Sequence, residues 1–426
     1  MKIYRASKVF VPGGMPQHTY IERAGRHLED KISQTKDNLC KLLTLTGSTK
    51  SGKTVLANKI FPRFSQDCIW IDGGTISSEE DLWKAILSEL NGYDSIEQSV
   101  EKGQTYDLFG EVEAEAGIPL LAKGKGKIGS GLSSGKNSST TKSLTLAHKT
   151  AAITQLRAAE LPLIIDDFHY IGRSYQGNII RALKPLVFEG HPVILIAIPH
   201  RRYDAVKVER EMTARLENVS VPTWSTEELC QIPNIGFPLL NVSITRGAVT
   251  ALTAEAYGSP HLMQDFCREI CRKKGIVETS PETLNISHVD AQLFKNIAEG
   301  TGKTIFEKLA KGPRQRSDRI QRPLKNGESA DIYKVVLLAL SKICPGMEKV
   351  DYEQLRLAIK EILSDKIPQA HEVSRVLKVM SEIASSDEAS TPVIDWQEDD
   401  QQLHITDPFF AFFLKWGFDP INNINN

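Results

Sequence analysis

One eight-residue stretch constrains what this chain can fold into more than any other part of its sequence. It consists of Gly47, Ser48, Thr49, Lys50, Ser51, Gly52, Lys53 and Thr54. A short apolar, β-prone run precedes it at 42–46, and a helical pattern follows at 55–60. Strand, glycine loop and helix N-terminus are the setting in which the pattern G-x-x-x-x-G-K-[ST] binds phosphate through backbone N–H groups. The sequence therefore predicts a phosphate site here, and we call 47–54 the glycine loop.

The glycine loop also predicts roles for two of its side chains. Lys53 is expected to reach the β- and γ-phosphates of ATP, and the Thr54 hydroxyl to hold Mg²⁺. About 110 residues downstream, the apolar run 161–165 ends in Asp166 and Asp167. An acid after the strand beside such a loop holds Mg²⁺ in enzymes of this kind, and a second acid often polarises the attacking water. We therefore predict Asp166 as a metal ligand and Asp167 as a catalytic acid.

Further apolar runs alternate with helical patterns, at 68–72 and again at 193–198. This alternation predicts a parallel sheet whose ligands lie at the carboxyl ends of the strands. His200 follows the run at 193–198 directly. It is either a sensor of the γ-phosphate or a simple turn residue.

Length and composition bound the class of protein. A chain of 426 residues can hold two or three domains. Its formal charge of −1 argues against broad adhesion to nucleic acid or membranes, although a local basic patch is compatible with it. The apolar runs are too short to span a membrane, and no secretory signal opens the sequence. The six cysteines show no C-x-x-C pairing, so we expect reduced packing cysteines and a cytoplasmic protein.

Helical patterns, turn signals and shifts in composition also predict domain boundaries. We expect a core at 1–225, a helical lid at 226–310, a basic linker at 311–329 and a winged-helix domain at 330–426. The core carries a Gly-, Ser- and Lys-rich insert at about 97–143. Its alternating Glu and Lys positions fit a β-hairpin, while its composition equally fits a disordered linker. In the winged helix, the acidic wing tip at 398–400 favours contact with proteins over reading DNA.

The sequence resembles the AAA+ and STAND P-loop ATPases, especially the branch with origin-recognition-type initiators and archaeal-type STAND proteins. The glycine loop matches Walker A, and the run 164–167 matches Walker B. Pro199-His200 stands where the polar residue called sensor 1 belongs. By the same resemblance, Arg215 looks like the arginine that these proteins present to a neighbour's nucleotide.

The resemblance extends into the predicted lid. Gly258-Ser259-Pro260-His261 is similar to the G-x-P signature of STAND proteins, which implies that Pro260 lies near the nucleotide base. The arginine usual at the position called sensor 2 is missing, and His261 is the residue nearest to its place. These features imply slow hydrolysis.

The expected architecture is an α/β P-loop NTPase core with a parallel sheet, a helical lid and a C-terminal winged helix. The expected function is an ATP- and Mg²⁺-dependent switch that self-associates through its nucleotide interface. It would control a protein effector or sensor in trans, as in bacterial antiviral defence. The alternative is a DNA-associated AAA+ ATPase such as an initiator, loader or transposition regulator. A third hypothesis is a scaffold that binds ATP without hydrolysing it at a useful rate.

Overall fold

The computed structural model describes most of the chain, and all structural statements below concern that part. The described residues are 2–37, 40–90, 148–198, 215–313, 320–344, 346–347, 349–385 and 392–417. The insert at 97–143 and His200 lie outside them, as does part of the basic linker. The chain divides into two compact units. Unit 1 comprises 1–29, 46–58 and 220–426, and unit 2 comprises 30–45 and 59–219.

Unit 2 is built around a five-stranded sheet with the strand order β2-β3-β4-β1-β5. The strands are β1 (Leu42–Gly47), β2 (Ile69–Asp72), β3 (Leu163–Asp166), β4 (Val193–Ala197) and β5 (Leu216–Val221). The pairs β2–β3 and β3–β4 are parallel, with Asp72 opposite Asp166. All residues of β1, β3 and β4 are buried, as expected for strands covered on both faces. The predicted α/β class with a parallel sheet is confirmed.

Helix α3 (Lys53–Ile60) follows β1 along the chain. Three further helices, α4 (Glu79–Glu89), α5 (148–159 of the described chain) and α6 (Arg173–Phe188), share a buried apolar core with the strands of unit 2. The Ser78 side chain accepts a hydrogen bond from the N–H of Asp81 and thereby caps α4. Three residues of this helix, Leu82, Trp83 and Ile86, are fully buried. The residues 77–80 have the composition that predicts a helix start, and both that start and the strand predicted at 68–72 are observed.

The lid region of unit 1 is mostly helical, as predicted. Its helices are α7 (Thr226–Leu239), α8 (Arg246–Glu255), α9 (Pro260–Lys273), α10 (Ala291–Thr301) and α11 (Lys303–Lys311). A small parallel sheet also joins β6 (Val242–Ile244) to β7 (Leu284–Ile286). Two three-residue strands 40 residues apart leave no periodic signal, so the sequence did not predict them.

The C-terminal part of unit 1 contains the elements predicted for a winged helix. They are α12 (Ile332–Ile343), β8 (Lys349–Asp351), α13 (Tyr352–Ile362), α14 (Ala370–Ser385), β9 (Ile394–Gln397), β10 (Gln402–Ile405) and α15 (Pro408–Trp416). The hairpin β9–β10 is antiparallel, and β8 pairs with β10 to give a three-stranded sheet. Aromatic rings of α15 pack against the lid, where Phe412 lies 5.2 Å from Phe266 between ring centroids.

The segment before β1, which we call the lead-in (2–37 of the described chain), is helical only in short pieces. Apolar residues at helical spacing predict a helix over 19–36, but this prediction is wrong, because His27 adopts a left-handed backbone with φ of 51°. A 3-10 turn at Ala24–Arg26 precedes it, and α2 (Leu28–Ser33) follows. Apolar periodicity alone cannot reveal such a break.

No helix in the described part of the chain is both long and apolar enough to cross a membrane.

Candidate functional site

The glycine loop follows a fully buried strand and leads into a helix, as its pattern predicts. β1 ends at Gly47, and α3 begins at Lys53. Lys50 and Gly52 have positive φ angles of 61° and 92°, a conformation that curls the backbone and that glycine adopts without strain. At Gly47 the loop runs against β5, since a Cβ atom there would lie 2.5 Å from the carbonyl oxygen of Val221. A residue with a Cβ atom could not lie this close to Val221 unless the backbone moved.

The Lys53 side chain closes the loop from within. Its Nζ donates hydrogen bonds to the carbonyl oxygens of Gly47 at 3.0 Å and Ser48 at 2.9 Å. Lys53 is only 8% exposed, whereas Thr54, the second residue of α3, is exposed. The Ser51 hydroxyl is buried without a hydrogen-bond partner among the described residues. A buried cation, an unsatisfied hydroxyl and a helix N-terminus together suit an anion such as phosphate.

Residues of the lid approach the same loop within unit 1. The Ser259 hydroxyl donates to the carbonyl oxygen of Lys50 at 3.5 Å. A Cβ on Gly52 would lie 4.0 Å from Cγ of Pro260. His261 packs beside Gly13 of the lead-in, and its ring meets Phe409 edge-on with centroids 4.9 Å apart. The structure thus brings Pro260 to the glycine loop.

Burial governs the charge of the lid residues near the loop. It lowers the pKa of His261 to about 4, and the Lys50 ammonium adds to that effect. Burial also raises the pKa of Asp265 to about 6, although Lys50 opposes it. The two side chains lie 3.7 Å apart, but desolvation disfavours the charged form of each. A pKa of about 4 leaves His261 neutral at pH 7, so it brings no positive charge to the loop.

The segment between β5 and α7, which we call the hinge (222–225), contacts the loop through a residue that sequence reasoning missed. The Trp224 indole Nε1 donates to the carbonyl oxygen of Ser51 at 3.0 Å. Arg23 of the lead-in forms hydrogen bonds with Glu228 and with hinge carbonyls. Burial tends to raise the pKa of Glu228, but hydrogen bonds from Arg23 and the Ser225 N–H lower it overall. The sequence pattern at 225–228 predicts the helix start that the Ser225–Glu228 capping box confirms, but it does not predict these contacts.

The predicted acids end β3 in unit 2. Asp166 is 5% exposed, and its Oδ1 accepts a hydrogen bond from the N–H of Asp167 at 3.0 Å. Asp167 adopts a left-handed backbone with φ of 49°, which short acidic side chains tolerate better than most. Gly73 packs so closely that a Cβ there would lie 2.6 Å from the carbonyl oxygen of Asp167. The backbone at this strand end is thus tightly defined.

Arg215 lies just before β5, also in unit 2. Its guanidinium carbon stands 4.6 Å from the ring centroid of Phe188, within the range of a cation–π interaction. Phe188 is 63% exposed, so this pair lies at the surface of the unit. The role predicted for Arg215 remains a prediction, as do those of the other site residues.

Known proteins resemble the chain in structure but not in sequence. No protein-family model matches it, and no curated protein matches it. A Walker-type ATPase of Pyrococcus abyssi is 17% identical and covers 95% of this chain and 99% of its own, with a TM-score of 0.52. The ORC1 protein of Aeropyrum pernix, solved in complex with DNA, is 12% identical over 97% and 96% of the chains, with a TM-score of 0.43.

A STAND protein of Pyrococcus horikoshii with a tetratricopeptide repeat sensor is 13% identical. The match covers 94% of this chain and 43% of the STAND protein, with a TM-score of 0.37. Of these three structures, the Walker-type ATPase has a TM-score above 0.5, and at 17% identity the likeness concerns the fold alone. Together with the parallel sheet and the glycine loop, it shows that this chain has the α/β fold of P-loop NTPases.

Proposed function

We propose that this protein binds ATP with Mg²⁺ and hydrolyses it slowly as an oligomerising molecular switch of the AAA+ or STAND type. The observation that carries the proposal is the glycine loop, in which buried Lys53 closes a backbone cradle at the start of α3. In such a cradle the loop N–H groups and Lys53 bind the phosphates. Pro260 is proposed to lie near the adenine base of the bound nucleotide.

Thr54 and Asp166 are the proposed ligands of Mg²⁺. Both offer oxygen atoms, the donor type that this ion prefers. When bound, the ion neutralises charge on the phosphates. Asp167 is the proposed acid that orients the attacking water, and His200 the proposed γ-phosphate sensor. A neutral His261 in place of a cationic sensor-2 arginine supports slow turnover.

Self-association is proposed to complete the site through Arg215. An arginine stacked on the exposed Phe188 ring combines two residue types that are enriched in protein interfaces. Output through a protein partner is part of the same proposal. Antiviral defence is one setting in which such a switch would act.

The proposal is tested by measuring ATP binding and hydrolysis for the parent protein and for Lys53→Ala. The variant should lose at least about 10–100-fold in ATP affinity, because it removes a buried charge that hydrogen-bonds within the loop. Lys59→Ala is the matched control, since Lys59 is an exposed lysine on the same helix. Equal ATP affinity in Lys53→Ala and the parent would overturn the assignment of the glycine loop.

The alternative function, a DNA-associated ATPase, makes a different prediction. We therefore propose to measure oligomer size with and without ATP, each in the presence and absence of duplex DNA. Assembly that depends on ATP alone supports the switch, whereas assembly or hydrolysis that requires DNA supports the alternative. ATP binding without any hydrolysis supports the scaffold.

A further inference from the structure

The carbonyl groups of the glycine loop have two kinds of partner. Those of Gly47 and Ser48 accept from Lys53, and that of Gly52 accepts from the N–H of Leu56. These partners lie within the loop and its helix. The carbonyls of Lys50 and Ser51, in contrast, accept from Ser259 and Trp224. These two donors lie 209 and 173 residues away along the chain.

The orientation of a carbonyl matters because a peptide unit is planar. The C=O of Ser51 and the N–H of Gly52 belong to one peptide and point in opposite directions. A donor that holds the Ser51 oxygen therefore also fixes the direction of the Gly52 N–H. An anion-binding loop needs its N–H groups aimed at the anion and its carbonyls turned away. Trp224 holds the Ser51 carbonyl in this way.

The indole that makes this bond is itself held firmly. The Trp224 backbone N–H donates to the carbonyl oxygen of Gly258 at 3.1 Å. Its ring lies under the Arg23 guanidinium, with the guanidinium carbon 5.1 Å from the ring centroid. The Arg23 side chain is 4% exposed and forms a 2.9 Å ion pair with Glu228. Such buried, charge-assisted contacts resist rotation of the groups they join.

Arg23 also fixes the hinge backbone on either side of the indole. It donates to the carbonyl oxygens of Pro222 at 3.0 Å and Thr223 at 3.2 Å. Gly258 packs on the same segment, since a Cβ there would lie 3.1 Å from the Thr223 Cβ. The lead-in, the hinge and the lid thus converge on a single hydrogen bond to the glycine loop.

We propose that Trp224 is a positioning residue that orients the Ser51–Gly52 peptide for phosphate binding, and that Arg23 holds it in place. This inference rests on the proposed function, because it assumes that the glycine loop binds the phosphates of ATP. It adds that the position of the hinge determines how strongly the loop binds phosphate. A hinge that moves away releases the Ser51 carbonyl and weakens phosphate binding.

The test compares Trp224→Phe with Trp416→Phe. The first variant keeps an aromatic ring beneath Arg23 but removes the N–H donor. The second removes an indole N–H that donates to Glu255 at 2.7 Å, away from the glycine loop. Two readouts are taken: hydrogen–deuterium exchange of peptides covering 47–56 without nucleotide, and the dissociation constant for ATP. A general loss of structure is monitored through exchange in α12 and α14.

Trp224→Phe should exchange faster in the glycine loop and bind ATP about 3–10-fold more weakly, the usual effect of one neutral hydrogen bond. Trp416→Phe should match the parent in both readouts at 47–56. The inference is wrong if Trp224→Phe matches the parent in either readout. If Trp224→Phe does not fold, Arg23→Lys replaces it, since this change leaves the indole in place but loosens its support. Loop exchange equal to that of the parent in Arg23→Lys would overturn the inference.

The two proposals fail in different ways. If the parent protein itself does not bind ATP, the proposed function is wrong, whatever the exchange data show. If the parent binds ATP and Trp224→Phe matches the parent in either readout, the proposed function stands and the positioning role is wrong.

Discussion

The two units of this protein carry different halves of the predicted site. Unit 1 contains the glycine loop together with Pro260 and His261, which are the residues predicted to bind nucleotide. Unit 2 contains Asp166, Asp167 and Arg215, which are predicted to serve hydrolysis. Binding groups and hydrolytic groups are therefore assigned to separate compact units.

The halves also differ in how they are held. The glycine loop depends on residues far away in the chain, among them Trp224 and Ser259. Asp166 instead accepts from the next residue in the chain, in a backbone turn against Gly73. Contacts from the hinge and the lid make the loop sensitive to those parts of unit 1, whereas the acids pack against the backbone of Gly73 within unit 2. The difference predicts that mutations can separate ATP binding from ATP hydrolysis.

Arg215→Ala should have the largest effect on hydrolysis while leaving ATP affinity unchanged. An arginine supplied to a neighbouring subunit's nucleotide contributes about 10³–10⁵-fold to the rate. Mixing this variant with Lys53→Ala should restore some activity, because one subunit then offers an intact pocket and the other an intact arginine. Arg181→Ala, which removes an exposed arginine of α6, should behave as the parent.

Hydrolysis per subunit should also rise with protein concentration if Arg215 acts between subunits. A rate that is independent of concentration, with no rescue on mixing, would mean that Arg215 serves its own chain or has no role in hydrolysis. A variant that mainly loses thermal stability would point to a local structural role beside Phe188.

Asp167→Asn should keep ATP bound and slow its hydrolysis by about 10²–10⁴-fold, the usual contribution of a positioned acid or base. Asp166→Asn should in addition weaken the dependence of the rate on Mg²⁺, because an amide is a poorer ligand for a hard cation than a carboxylate. Rates measured across a magnesium titration check both. Parent-like hydrolysis in both variants would contradict the two assignments.

Sequence reasoning recovered the parts of the fold that leave local patterns. The strand before the glycine loop and the helix after it were predicted because a buried strand and a helix start each have a recognisable composition. The same applies to the helices and hairpin of the C-terminal part. Asp166 and Asp167 were found because they directly follow an apolar run of five residues, 161–165.

The contacts that support the glycine loop could not be predicted in this way. Trp224 and Arg23 meet because the hinge and the lead-in, about 200 residues apart, fold against each other. No periodicity or motif encodes such a meeting. The left-handed residue His27 and the short strands β6 and β7 escaped prediction for the related reason that one to three residues form no pattern.

Gly47→Ala tests whether the glycine loop depends on its approach to β5. The new methyl group would lie 2.5 Å from the carbonyl oxygen of Val221 and 3.0 Å from the Ser51 hydroxyl oxygen. Because backbone must move to relieve such overpacking, ATP affinity should fall about 10–100-fold, and hydrolysis with it. Gly247→Ala is the control, since a Cβ there meets no atom within 4 Å. Unchanged ATP binding in Gly47→Ala would show that the loop tolerates displacement from β5.

The smallest expected effect concerns the pH dependence of unit 1 through Asp265 and His261. The raised pKa of Asp265, about 6, stabilises the fold at low pH, and this contribution is lost as pH rises from about 4 through 6. The lowered pKa of His261, about 4, has the opposite sign: its contribution is present above about pH 6.5 and is lost as pH falls towards 4. In the parent the two nearly cancel.

Each single variant should therefore expose the contribution of the other residue. Between pH 4.5 and 6.5, the melting temperature of Asp265→Asn relative to the parent should rise with pH, and that of His261→Asn should fall. The corresponding change in the free energy of unfolding is on the order of 1–2 kcal/mol, because partial exposure of both side chains reduces the electrostatic effect. Asp365→Asn, which alters an exposed aspartate of the same unit, should follow the parent. Two variants that shift in the same direction would show that the pair titrates as one charged ion pair, and His261 would then carry the positive charge that the lid otherwise lacks.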